Sequence, residues 1–149
     1  MLQIDVGYPD MVAERRMLYA TTGGDEAKPQ AMLSPSDLMS FQRIVRQIPV
    51  GEKVVGAILK LVRSARPGEG SGKDVDKLVA WGPGPRASQA LSLAVRAKAL
   101  LDGRLAPSLD DVAALAEPAL KHRMALSYTA RAEGVALPDL IARLAASAV

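Results

Sequence analysis

The run Trp81-Gly82-Pro83-Gly84-Pro85-Arg86-Ala87 is the stretch whose residue types and order could carry chemistry. A helix N-terminus has a partial positive charge and unpaired N–H groups, so an arginine in a first turn is disfavoured unless an anion sits beside it. A phosphate is the natural candidate. Pro85 suits the first helical position, and the two glycines let the backbone turn sharply or approach a ligand closely. The spacing alone has low specificity, and taken by itself Arg86 reads as a surface arginine. Gly82, Gly84 and Pro85 read first as the turn that aims Arg86, and only second as backbone contacts to a nucleotide. Trp81, the only tryptophan, reads as a core anchor before a base-stacking platform.

Other candidates are weaker. A phosphate cradle needs G-x-x-x-x-G-K-[ST], whose N–H groups, lysine and hydroxyl hold phosphates and Mg²⁺. The nearest approach runs from Pro67 to Asp74, with Pro67 in place of the first glycine and Asp74 in place of Ser or Thr. It also follows a helical pattern rather than a strand, so residues 68–75 read as a flexible Gly/Ser-rich loop. No apolar strand followed by a metal-binding Asp-Glu pair is visible. His122 is the only histidine and cysteine is absent, so the usual zinc site has no ligands and no metal site is expected. Nothing in the sequence supplies His122 with a nucleophile or an orienting carboxylate, and it reads as structural or surface. Arg43, Arg46, Arg63 and Arg66 recur at helical spacing; they read as a solvated face, with a subunit interface or a neighbouring nucleotide as the sharper alternative.

The elements that must position these residues are mostly helical. Leu2-Gln3-Ile4-Asp5-Val6 alternates as a short strand would, and Gly7-Tyr8-Pro9 breaks it. Asp10 can cap a helix to about Tyr19. Ser34, Pro35 and Asp37 start another, with Leu38, Phe41, Val45 and Ile48 on one face. Val54, Val55, Ile58, Leu61, Val62 and Ala65 mark a third, stopped by Pro67. In the helix opened by Pro85, Ala87, Ala90, Leu91, Ala94, Ala97 and Leu101 fall within an arc of roughly 120°, and Gln89, Ser92 and Arg96 point away. Ser108 and Asp111 form a capping box ahead of Val112, Leu115 and Ala116, and Pro118 kinks or restarts that helix. A further helix is expected from about Ala119 to Arg131, ending near Gly134, and Pro138 opens a short last one with Leu140, Ile141 and Leu144.

Composition agrees with an all-α bundle of six or seven elements. Of 149 residues, 49% are hydrophobic but only 3% aromatic, so the core must be built from Ala, Leu, Val, Ile and Met. The absence of cysteine fits a reducing compartment. No signal peptide or 18-residue apolar stretch is present, which reads as a cytoplasmic protein with no membrane insertion. The formal charge of +3 is spread along the chain without a basic arm or aromatic interleaving. A nucleic-acid partner is therefore not expected.

The segment WGPGPRASQALSLAVRAKALLDGRLAPSLDDVAALAEPALKHRMALSYTARAEG resembles, nearly end to end, the C-terminal lid of MoxR-family AAA+ ATPases. So do LQIDVGYPDMVAERRML, TTGGDEAKP, LSPSDLMSFQRIVRQIPVGEKVV and ILKLVRSARP, in the family's order. The resemblance implies a helical bundle of the AAA+ lid type over residues 10–149. Residues 1–9 would be the last strand and hinge of an ATPase base domain absent from the chain. It makes Arg86 the sensor 2 residue, the catalytic contact to nucleotide phosphate. Gly84, Pro85, Tyr8 and Pro9 become candidate nucleotide neighbours.

The complete protein is then expected to bind and hydrolyse ATP with Mg²⁺, and to form a homo-oligomeric ring, by family habit a hexamer. It would remodel or activate partner proteins, often ones bearing a von Willebrand factor A domain. This chain alone, without Walker A and Walker B motifs, is expected to hold no nucleotide tightly and to be inactive. It is expected to be a fragment of a longer protein, with Met1 as a vector-supplied start. The alternative reading is a stand-alone helical interaction module without nucleotide chemistry; a helical nucleic-acid binder rests only on a pI of about 9.4.

Overall fold

In a computed structural model the described residues are 2–24, 29–68 and 72–149. Met11–Thr21 form α1, Pro35–Gln47 α2, Glu52–Ser64 α3, Lys73–Leu78 α4, Pro85–Leu101 α5, Leu109–Leu120 α6, Tyr128–Ala132 α7 and Leu137–Ala148 α8. Val79–Trp81 (β1) and Ala125–Leu126 (β2) pair as an antiparallel ribbon, Val79 opposite Leu126 and Trp81 opposite Ala125. A single 3-10 turn, Lys121–Arg123, links α6 to β2. The architecture is a helical bundle, as the composition requires.

The helix starts follow local chemistry. Asp10 accepts the Ala13 N–H, and Ser34 with Asp37 and Ser108 with Asp111 each close a reciprocal capping box. These side chains satisfy N–H groups that the first turn leaves unpaired, which is why the boundaries are sharp. Pro35 and Pro85 stand in their helices' first turns, where a missing N–H costs nothing.

The buried core comes from α3, α5, α6 and α8, with Leu61, Leu91, Leu120 and Ile141 among its largest fully buried side chains. α5 packs on α6 on one side and on α3 and α2 on others. Burying each of these leucines stabilises the fold by about 1.5–3 kcal/mol. Neither α1 nor α2 contributes a fully buried residue.

Several expectations are corrected. Residues 2–10 form no strand: one bond, from the Gln3 N–H to the Pro118 carbonyl at 2.8 Å, and a Lys121–Asp5 ion pair hold the segment to the body. Alternation alone cannot make a strand where no partner edge is offered. The buried stripe of α5 is Ala87, Leu91, Val95 and Ala99, turned roughly 80° from the expected one at 100° per residue. Leu101 is 88% exposed, while Ser92 and Arg96 are partly covered rather than outward. The helix expected over 119–131 is broken by the 3-10 turn and β2, because residues 125–126 pair with β1. Pro118 sits inside α6 without ending it at once. Of the Gly/Ser-rich loop at 68–75, residues 69–71 lie outside the described ones, and α4 already begins at Lys73.

Candidate functional site

β1 ends at Trp81 and α5 begins at Pro85, so Gly82-Pro83-Gly84 must carry the chain from ribbon to helix. Ribbon and α3 together fix that turn. A Cβ on Gly82 would lie 2.4 Å from the Ala65 carbonyl oxygen and 2.8 Å from the Arg66 Cα, so only glycine fits against the end of α3. Pro83 is fully buried, and its carbonyl accepts a hydrogen bond from Arg66 Nε at 2.8 Å. Ser127 secures the ribbon from the other strand: its N–H donates to the Leu78 carbonyl and its hydroxyl to the Lys77 carbonyl, each at 2.8 Å.

The first turn of α5 then faces solvent. Gly84 is its N-cap and offers no side-chain oxygen, and no acidic residue lies in the turn. A Cβ on Gly84 would meet nothing within 4 Å, so the space before the helix end is open. Ala87 is buried and donates to the Gly84 carbonyl at 2.9 Å, which anchors the turn. Arg86 is exposed beside it, and among the described residues its guanidinium has no hydrogen bond or ion pair. An uncapped helix end carrying an unpaired guanidinium can accept a phosphate through both the helix charge and the planar donor fork.

Gly84, Pro85 and Arg86 are thus brought together in one turn. Tyr8 and Pro9 lie on the exposed segment ahead of α1 and make no hydrogen bond to that turn. Trp81 is 53% exposed at the end of β1, not the core anchor expected, because the ladder is irregular between Val79 and Trp81 and the two do not share the buried face. Arg66, read from sequence as a solvated charge, holds the motif turn instead; Arg43, Arg46 and Arg63 are exposed. His122 is exposed, and desolvation, then the charges of Arg123 and Lys121, hold its imidazole below the usual range.

Sequence reasoning missed a second polar cluster. Arg104 donates to both carboxylate oxygens of Asp111, at 2.8 and 2.7 Å, and to Asp102 at 2.8 Å. Asp111 is only 2% exposed and also accepts the Ser108 N–H at 2.8 Å. The Arg104 bonds, with help from Ser108, hold the Asp111 carboxyl down to about 2 against the cost of burial. The bidentate pair ties the α5–α6 loop to the first turn of α6, and the Asp102 bond ties the same arginine to the end of α5. Among the described residues no group of His, Cys, Asp and Glu is placed to hold a metal ion. No described helix is long and apolar enough to cross a membrane.

Residues 72–144 match the family described as AAA lid domain. The chain is 32% identical to Chaperone MoxR1 of Mycobacterium tuberculosis over 142 residues, 95% of this chain and 37% of that protein. The crystal structure of a presumed ATPase from Cytophaga hutchinsonii shares the fold, with a TM-score of 0.85 and 23% identity over 97% of this chain and 44% of that one. The chain therefore spans less than half the length of each of these two proteins. In sequence and in fold, it corresponds to the helical lid region of the MoxR-family AAA+ ATPases.

Proposed function

We propose that this chain serves as the lid and hinge of a MoxR-type AAA+ ATPase, with Arg86 as the residue that contacts nucleotide phosphate. The observation that carries this reading is the unpaired Arg86 guanidinium at the uncapped first turn of α5, beside the open face of Gly84. Both fit a phosphate group. A base domain outside the chain would supply the phosphate cradle and the carboxylates for Mg²⁺, and ATP bound there provides the phosphoanhydride to be cleaved. Residues 2–9 are proposed to continue from that base domain, with Tyr8 and Pro9 near the nucleotide, and residues 10–149 to move as the lid.

Arg86 would stabilise charge on the phosphates in the bound state and lose that contact after hydrolysis. The lid would then occupy different positions in the two states, because the contact differs between them. The exposed Met11, Val12, Leu18 and Tyr19 of α1 give the base domain an apolar surface to cover. In the complete protein the cycle is proposed to run in a homo-oligomeric, hexameric ring in the cytoplasm. It would remodel or activate client proteins, including ones with a von Willebrand factor A domain.

ATP turnover of the complete protein carrying Arg86→Ala tests the assignment: turnover is expected to fall about tenfold or more. Unchanged turnover in a correctly assembled ring would overturn it. The exposed face of α1 also suits the second reading, a helical interaction module without nucleotide chemistry. Partner binding with no dependence on nucleotide would favour that module.

A further inference from the structure

A groove of about 550 Å³ opens where α2, α3 and α5 meet, and two cations face it: Arg46 from α2 and Arg96 from α5. Among the described residues neither guanidinium has a hydrogen bond or an ion pair. The Arg96 Nε is buried and unpaired. A buried donor without an acceptor is costly, and two like charges lining one groove repel each other. An anion seated between them removes both penalties.

The rest of the lining narrows the ligand. Ser88 and Gln89 of α5, with Ser92 one turn further on, add neutral donors and acceptors beside the cations. The opposite wall is apolar, formed by Val55, Ile58 and the half-exposed Leu59 of α3. An inorganic anion would leave that wall wetted, whereas a peptide carrying a carboxylate next to an aliphatic side chain covers both.

We propose that this groove docks an acidic segment of a protein partner, with a Glu or Asp carboxylate held by Arg46 and Arg96 and its aliphatic neighbour on Val55 and Leu59. Arg86 does not line it. The inference stands apart from the nucleotide reading and holds whether or not the complete protein hydrolyses ATP.

The test is a titration of the isotope-labelled 149-residue chain with a capped Leu-Glu-Leu-Glu peptide, followed by arginine Nε–H resonances. The Arg46 and Arg96 signals are expected to move saturably. The Leu-Gln-Leu-Gln peptide should bind about tenfold weaker or worse, and Arg96→Met and Arg46→Met should each weaken the acidic peptide to a similar degree. If Arg96→Met does not fold, Arg46→Met on the exposed α2 and the Gln peptide still decide. No movement up to millimolar peptide, or equal binding of the Gln peptide, overturns the proposal. So does binding of inorganic phosphate or ADP at these resonances as tight as that of the peptide, which would mark a general anion or nucleotide site.

Discussion

Arg66 Nε donates to the Pro83 carbonyl at 2.8 Å, so the residue just beyond α3 holds the turn that launches α5. The direction of Arg86 is inherited from that bond and from the close approach of Gly82 to Ala65. A side chain far from the motif in sequence thereby sets the geometry of the motif.

Arg66→Met keeps the aliphatic stem but removes the Nε donor to the carbonyl of the buried Pro83. It should cost about 1 kcal/mol and lower the melting temperature by several degrees. A thermal melt of the 149-residue chain decides; a melting temperature equal to that of the unmodified chain would show that the bond contributes nothing.

Gly82→Ala drives a Cβ into the backbone of residues 65 and 66, which cannot move aside as a side-chain tip could. A loss of about 1–3 kcal/mol is expected. Gly84→Ser meets no atom and supplies a favourable N-cap, so it should be neutral or slightly stabilising. Chemical denaturation of the two variants side by side reads the contrast. Equal effects would mean that the turn is not packed as described.

Asp111 titrates at about 2 in the folded chain because of Arg104 and Ser108, against roughly 3.9 when unfolded. As pH falls below about 4 the unfolded state takes up the proton first, so stability is fully present above that pH and declines toward pH 2. The loss is on the order of 2 kcal/mol. Asp111→Asn should lower stability at neutral pH by a comparable amount and flatten the acid limb of the stability curve. An unaltered acid limb in the variant would place the titration elsewhere.

Arg86→Ala should separate function from folding. The side chain is exposed and unpaired, so stability of the 149-residue chain should change by less than about 0.5 kcal/mol. Turnover of the complete protein should fall while the melt stays put. A variant that melts much earlier would instead make Arg86 a structural residue.

The caps at Asp10, Ser34 and Ser108 and the prolines opening α2 and α5 were legible in sequence because each acts within one helical turn. The turn of Gly82-Pro83-Gly84 into α5 follows from the same local rules. What was illegible depends on partners distant in sequence. Val79 becomes a strand residue only because Leu126 lies opposite it, and that pairing also breaks the helix expected over 119–131 and turns Trp81 outward. The face α5 buries is set by neighbours on several sides, so its own apolar periodicity pointed to a different stripe. The Arg104–Asp111 clamp closes across a loop, and charge spacing carries no signal for it. Ser108 and Asp111 read as a cap from their spacing, and they form one; the salt link to Arg104 exists only in the folded chain.

All the buried hydrophobic residues of the described chain lie at Ile48 or beyond. Calorimetrically, then, the chain should behave as a unit of roughly 100 residues, with a heat-capacity increment on melting near ~1.3 kcal/mol/K instead of the ~2 that its full length implies. Residues 2–24 and 29–47 would leave the endotherm almost unchanged if they loosened first, and amide exchange there should run ahead of global opening by orders of magnitude.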